Sequence, residues 1–424
     1  MYGGPIEGPF NLWLYTTTDT ITTVLTSAYF SDGGKRGMQV GDVVWVINQT
    51  SPLTAPATQC QVISVGSQNL GGTLTQPTSA TVQQTGLSTI GLLDNPRNIV
   101  DGGDFGTNPW QGGTSFNGGT GTTLTADRWN MTGGTGSSWS VSKQANTNVA
   151  GFSQALQWGR SSTDTHTTGL TLGSVVETTD SIRLQGIPVS LSFWAQAGAN
   201  FAAGASGGTF SAILVSGLGT DDTFANLTAG SWTTASNVIS AAVTPTTSAV
   251  RYGPFSGVVP AACTQLGLVF TYTPAAGTTA GAAETIQLMG VQVEAGGMTT
   301  FEHLDVAEVL SICQRYFVQL NEGTTGVISG TGLATSTTTV QLYLALPSTM
   351  RKNPTVSITV GGFQVTNGGG AGVAISGAGS AAVQHTPQAV GVLATVASGL
   401  TLGQGSLLVG RTTGNGKIAV NADY

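Results

Sequence analysis

Period-two alternation of side chains is the strongest constraint on what this chain of 424 residues can become. In VSLSFWAQ, Val189, Leu191 and Phe193 alternate with Ser190, Ser192 and Trp194. In QLGLVFTY, Leu266, Leu268, Phe270 and Tyr272 share one face. ETIQLMGVQVE places Ile286 and Leu288 before Gly290, and Val291 and Val293 after it, which is the pattern of a strand with a bulge at the glycine. TVQLYLALP and PTVSITV repeat the alternation further along. Successive strand side chains point to opposite faces, so each run predicts a strand with one buried face and a second face that is wet or at an interface.

Composition points the same way. Charged residues make up 8% of the chain and there are 62 glycines. Soluble proteins carry about 25% charged residues, so good helix formers are scarce here. Thr and Val favour pleated sheet, and Gly supplies tight turns. The expected fold class is mainly β, with a central jelly-roll-like β-sandwich.

Charge narrows the function classes. The formal net charge is −7, and the 13 basic residues are scattered. An electrostatic grip on nucleic-acid phosphates is therefore not expected. No apolar run is long enough to span a bilayer, and MYGGPIEGPF has no signal-peptide pattern. Cys60, Cys263 and Cys313 lie far apart with no CxxC spacing, which predicts neither a disulfide framework nor a zinc site.

Four segments are expected. Residues 1–88 form a small N-terminal unit, with a short helix near Asp19, strands in GDVVWVIN and CQVISVG, and a polar linker or extended arm in NLGGTLTQPTSATVQQTG. Residues 89–301 form the sandwich, 302–317 a connector helix, and 318–424 a C-terminal β domain. The Gly- and Ala-rich stretch GGFQVTNGGGAGVAISGAGSAAVQ reads as strands packed on other chains, or as a loop region.

The connector is the strongest helical signal. Asp305 and Glu308 have capping-box spacing, and Val306, Val309, Leu310, Cys313 and Phe317 recur as one apolar stripe. Glu308 near the start and Arg315 near the end suit the helix dipole. A helix of about 12 residues is marginal alone in water, so the stripe is expected to dock.

Candidate chemistry is sparse. GASGG matches G-x-S-x-G around Ser206, but its neighbours form a small-residue loop and not a strand-turn-helix elbow. GRTTGNGKI lacks P-loop spacing. His166, His303 and His385 have no ligand-spaced partner. Asp101/Asp104 and Asp221/Asp222 sit in Gly- or Thr-rich loops and read as solvated turns, with a Ca²⁺ loop as the alternative. No catalytic residue, metal ligand or cofactor is assigned. Trp194, opposite Leu191 and Phe193, is the candidate for stacking under a sugar ring, against the plainer reading of interface packing. Trp139 and Trp158 are alternatives, whereas Trp110 and Trp129 are expected to pack the sandwich.

Three stretches resemble tailed-bacteriophage virion appendage proteins. VQVEAGGMTTFEHLDVAEVLSICQRYF is similar to a strand ending in a "QLEAG"-like motif, then "T-x-F-E", then a helix ending in "CQRYY". It matches at Gln292, Glu294, Ala295, Gly296, Thr300, Phe301, Glu302, Cys313, Gln314, Arg315 and Tyr316, with Phe317 where a second Tyr is usual. NPRNIVDGGDFGTNPWQGGTSF followed by LTADRW resembles the family's "NGDF-x-W-x-RGTSF" opening and "TADRW", with Gly112 where Arg is common. LPSTMRKNPTVSI resembles its "MR-x-x-PT" segment at Met350, Arg351, Pro354 and Thr355.

The resemblance implies a tail fibre or a capsid-mounted head fibre or decoration protein, with a middle domain shaped like carbohydrate-binding modules. The expectation is a non-enzymatic structural protein of the virion, assembled in the bacterial host cytoplasm. Its partners would be itself, as a homotrimer, and capsid or tail proteins through the N-terminal unit. A host-surface glycan is a further partner, with no nucleic acid and no membrane insertion. A strict glycan-binding receptor protein is the second class, and a polysaccharide depolymerase the third.

Overall fold

The structure is a computed structural model, and it describes residues 12–19, 21–24, 29–31, 38–39, 42–48, 58–69, 75–84, 98–201, 208–274, 284–322, 328–367, 372–380, 385–411 and 416–423. Ser206 and the centre of GRTTGNGKI lie outside them. The chain divides into two compact units, Met1–Pro96 and Arg97–Tyr424.

The first unit is a four-stranded sheet of β1 (Leu12–Thr17), β2 (Val43–Asn48), β3 (Thr58–Asn69) and β4 (Thr75–Gln84), in that order. β1 and β2 are parallel and the other pairs antiparallel. The single-turn helix α1 (Ile21–Val24) follows β1. Val24, Phe30, Met38, Val44, Val46 and Val62 form the core. Asp42 is buried, and accepts from Trp13 Nε1 (2.8 Å) and the Gln39 amide (2.9 Å). Within the stretch read as a polar linker or extended arm, Thr75–Gln84 forms β4, paired along β3. Its Thr and Val residues suit a strand, and the pairing satisfies backbone groups that a free arm would leave to water.

The second unit opens with a sandwich built from β5 (Ser115–Gly118), β6 (Gly121–Leu124), β7 (Asn130–Gly133), β8 (Trp139–Ala145), β9 (Gln154–Arg160), β10 (Leu170–Val176), β11 (Pro188–Ala197), β12 (Thr209–Gly217), β13 (Ser236–Val243), β14 (Val250–Val258), β15 (Gln265–Thr273) and β16 (Thr285–Ala295). Two six-stranded sheets result, ordered β14-β11-β16-β9-β8-β5 and β13-β12-β15-β10-β7-β6. Short helices α2 (Thr178–Ile182) and α3 (Phe224–Thr228) lie in the connections. Between the sheets, Phe193 meets Phe270 edge-on at 4.9 Å, and Trp158 meets Phe210 at 6.3 Å. The alternating residues of β11 and β15 thus build one interior, as their pattern predicts.

The second faces of β11 and β16 differ from the expectation. Ser190, Ser192 and Gln292 are buried as fully as Leu191. Over that face, Arg251 Nη2 donates to Ser192 Oγ (3.1 Å) and to the Thr299 carbonyl (2.6 Å), and Gln292 donates to Glu294 (2.7 Å) and accepts from the Glu302 amide (2.9 Å). Residues 98–103 pair along the edge of β16. The Ile99 amide bonds the Val293 carbonyl (3.0 Å), and the Val291 amide bonds the Gly103 carbonyl (3.1 Å). A Cβ on Gly103 would stand 2.3 Å from the Val291 oxygen, so only glycine permits this approach. Gly290 has φ +53°, and the β11–β16 register shifts beside it, which is the bulge read from sequence.

After the sandwich comes α4 (Val306–Gln314), capped by Asp305, whose Oδ1 accepts from the Ala307 amide (2.8 Å). The helix is shorter than residues 302–317. Phe317 is not helical but opens β17 (Phe317–Glu322). The strands that follow are β18 (Ile328–Ala334), β19 (Thr339–Ala345), β20 (Thr355–Ile358), β21 (Phe363–Asn367), β22 (Gly372–Ser380), β23 (Ala389–Val396), β24 (Gly405–Gly410) and β25 (Gly416–Asn421). A closed barrel forms in the order β18-β19-β23-β22-β21-β24, beside a three-stranded sheet β17-β25-β20. One core joins them, with Val340, Leu342, Phe363, Val392 and Leu408 from the barrel and Val318, Ile418 and Val420 from the sheet. Much of the Gly- and Ala-rich stretch is thereby accounted for as β21 and β22.

Candidate functional site

The low charge of the chain makes its buried charges conspicuous. Arg160 and Glu284 form one buried pair within the sandwich (2.6 Å), and Arg128, Asp127, Glu177 and Asp423 are buried where the sandwich meets the C-terminal strands. Arg128, on the turn between β6 and β7, is 2% exposed and has φ +71°. A non-glycine residue in that region costs about 1–2 kcal/mol, so its surroundings must hold it there. They do so at every nitrogen. Nε donates to Asp101 Oδ2 (3.1 Å), Nη1 to Asp423 Oδ1 (2.8 Å) and Nη2 to the Val175 carbonyl (2.7 Å). The guanidinium also stacks 3.5 Å from the centroid of the buried Tyr316 ring.

Tyr316 continues the network. Its hydroxyl donates to Glu177 Oε1 (2.6 Å), and Arg315 Nη2 reaches the same oxygen (3.2 Å). The Tyr316 carbonyl accepts from the Ala422 amide (2.7 Å), and the Arg315 carbonyl from the Arg351 amide (2.7 Å). Arg351 Nη1 in turn donates to Asp221 Oδ2 (2.9 Å). The residues after α4 are thus tied to the sandwich by side chains and to the C-terminal strands by backbone.

Beside this lies a second tie. Asp127 accepts from the Gln111 amide (2.7 Å) and from Gln111 Nε2 (2.8 Å). Gln111 Nε2 also donates to the Phe317 carbonyl (2.8 Å). Asn108 fixes the Asp127 backbone, accepting from its amide (3.2 Å) and donating to its carbonyl (2.9 Å). Burial pushes the Asp127 carboxyl up to about 6, against the Gln111 donors that pull it down, and nearby Asp423 adds to the rise.

The acidic residues of the candidate metal loops are held by hydrogen bonds and ion pairs, with Asp104 buried and Asp101, Asp221 and Asp222 half-buried. Asp104 is buried, with Oδ1 accepting from Gly106 and Oδ2 lying 2.8 Å from His303 Nδ1. Asp221 accepts from the Thr178 amide at the start of α2 (2.9 Å) as well as pairing with Arg351. Asp222 Oδ1 accepts from Asn226 Nδ2 (2.6 Å) and the Thr223 amide (2.7 Å). Among the described residues, no group of three or more His, Cys, Asp and Glu side chains is placed to hold a metal ion.

The helix residues divide. Val309, Cys313 and Phe317 are buried and Leu310 is half-buried, but Val306 is 59% exposed. Val306 begins the helix, and the apolar stripe docks only from the second turn onward. Burial raises the Cys313 thiol well above its ordinary range, with the Asp127 and Asp101 charges adding to the rise. The Asp305 side chain acts as the cap, while Glu308 is exposed in the first turn.

Trp194 is half-buried and packs on the cluster of Val149, Phe152, Ala155 and Met289. Trp110, Trp129, Trp139 and Trp158 are all buried. Sequence reading missed the joint itself, although one signal pointed there. Asp127 and Arg128 sit together between apolar Ala126 and Trp129 in a chain with few charges, and charges in such a setting must find partners.

No protein-family model matches the sequence, and no curated protein sequence matches it. Among solved structures, the chain is similar to the enzymatically active domain of bacteriophage CBA120 tailspike protein 4, at 13% identity and TM-score 0.28, over 47% of this chain and 21% of that one. The chain therefore spans about a fifth of that tailspike structure. It is also similar to TmCBM61 in complex with β-1,4-galactotriose, at 12% identity and TM-score 0.26, over 47% of this chain and 99% of that one. A third likeness is to the CBM22-1 xylan-binding domain of Paenibacillus barcinonensis Xyn10C, at 17% identity and TM-score 0.24, over 44% and 94%.

Proposed function

We propose that this chain is a non-enzymatic structural protein of a bacteriophage virion, a fibre-like appendage held to the particle by its N-terminal unit and contacting the host surface. One observation carries the reading. The three stretches that resemble phage appendage proteins, distant in sequence, meet at one buried joint. Gln111, Asp127 and Arg128 come from the first, Arg315 and Tyr316 from the second, and Arg351 from the third. Their polar groups bond one another or the backbone. That arrangement locks two β domains together, which suits a projecting part that must transmit force without bending.

The low charge of the chain supports assembly as a homotrimer, because the cores of protein interfaces are depleted in charged residues. Tail fibre and capsid-mounted head fibre are both compatible with this architecture. Imaging virions that carry a label at the N-terminus tests the proposal directly. Label on fibre bases, at tail or capsid, is the expected result. Absence of the protein from purified virions would overturn it, and a monomer in light scattering would remove the trimer.

A further inference from the structure

Beside the joint lies a cleft of about 520 Å³, bounded by the sandwich on one side and the sheet β17-β25-β20 on the other. Strand register builds its floor in two rows. Phe317, Asn421 and Thr355 are paired across the three strands, and Gln319, Ala419 and Ser357 form the next row. The alternate residues Val318, Val420 and Val356 point the other way, into or against the barrel core, so the floor is backed by packed side chains. Ala419, the small residue at the centre of its row, leaves a hollow between an amide and a hydroxyl. The wall is the half-buried Phe116 ring, with Gly112 set against it and Thr123 and Thr125 alongside. A Cβ on Gly112 would lie 3.6 Å from the Phe116 ring and 3.8 Å from Phe317, so any longer side chain there would occupy the cleft.

We propose that this cleft binds a neutral saccharide. The proposal deepens the host-contact part of the reading above and rests on it. A sugar ring presents an apolar C–H face and a rim of hydroxyls. Phe116 supplies an apolar surface, and Ser357, Gln319 and the Asn421 Nδ2 group supply polar groups around a shallow apolar centre. The Thr355 hydroxyl donates to the Asn421 carbonyl (3.3 Å), and Asn421 Oδ1 accepts from the Asp423 amide (2.7 Å). None of the lining residues is charged, so a phosphate or a sugar carboxylate meets no cation there. The volume lies within the roughly 300–1,000 Å³ of small-molecule sites. The floor is also fixed in advance, because Gln111 holds the Phe317 carbonyl to Asp127, and little ordering is left for binding to offset. Trp194, the candidate from sequence, does not line this cleft.

The test is an array of neutral and of uronate- or sialate-containing oligosaccharides, probed with the full chain and three variants. Ala419→Trp fills the floor, Ser357→Trp blocks its exposed edge, and Trp194→Ala alters the remote sandwich surface. Circular dichroism and melting of each variant check the fold, and Ser357→Trp stands in should Ala419→Trp misfold. The expected result is a neutral glycan whose signal falls about tenfold or more in the cleft variants and stays within about twofold in Trp194→Ala. No binding, binding of acidic glycans alone, or a neutral signal indifferent to both cleft variants would overturn the proposal. A signal lost only in Trp194→Ala would move the site to the sandwich, overturning the cleft while leaving host-glycan contact intact. The virion reading stands or falls separately, on particle imaging.

Discussion

The Arg128 guanidinium lies flat over the Tyr316 ring, 3.5 Å from its centroid, although the two residues are far apart in sequence. Arg128 belongs to the sandwich and Tyr316 to the segment that leads into the C-terminal strands. The contact is therefore where one β domain is registered on the other. Removing the cation breaks a buried ion pair with Asp423, a class of change that costs about 3–5 kcal/mol. Arg128→Met is expected to lower stability by that order in urea unfolding. Arg128→Lys is expected to recover little, because an ammonium cannot serve Asp101, Asp423 and the Val175 carbonyl together.

Tyr316→Phe keeps the ring beneath Arg128 but removes the hydroxyl that donates to Glu177. Hydrogen bonds to charged groups contribute about 1.5–3 kcal/mol, and Glu177 is buried. A loss in that range is expected in thermal or urea melts. A double-mutant cycle with Glu177→Gln should show coupling, and additive losses would mean that the bond contributes nothing of its own.

Asp127 gives the joint a pH dependence. Its folded-state carboxyl titrates near 6, above the ordinary carboxylate range, so the native state holds the proton more tightly than the unfolded chain. The sign follows from linkage: stability falls as pH rises from about 4 to about 6, and the full cost, about 3 kcal/mol, is present above that. Asp127→Asn is expected to flatten this part of the urea-midpoint profile. A variant with the wild-type slope between those pH values would place the titration elsewhere.

Cys313 is fully buried and its thiol is raised, so thiolate is scarce and reagent access is blocked. Iodoacetamide is expected to leave Cys313 unmodified in the native protein and to alkylate it in denaturant, as read by peptide mass mapping. Val306, by contrast, tolerates change. Val306→Lys is expected to shift stability by no more than about 0.5 kcal/mol, because the side chain is mostly in water.

Local pattern made the strands legible. The alternation in β11, β15 and β16, the bulge at Gly290 and the Asp305 cap all depend on neighbours a few residues away. Periodicity says which side of an element is apolar but not how much of it finds a partner, so the helical stripe ran one residue too far at each end. Val306 overhangs the docked part, and Phe317 already belongs to a strand. The outer face of β11 was illegible for a related reason. Ser192 looks like a wet position, yet Arg251 and Thr299 close over it from elsewhere in the chain. The joint lay beyond any local pattern, since Arg128–Asp423 and Gln111–Phe317 span 295 and 206 residues.

The barrel β18-β19-β23-β22-β21-β24 closes on itself through β24 and β18. A ring of strands has no open margin at which another chain can lay down a further strand. Were copies of the chain to assemble around this barrel, they would meet side chain against side chain, and Leu333, Tyr343 and Leu393 are among the exposed apolar side chains there. Specificity of that contact then resides in side-chain shape, which point substitutions can retune, and not in the main chain, which they cannot.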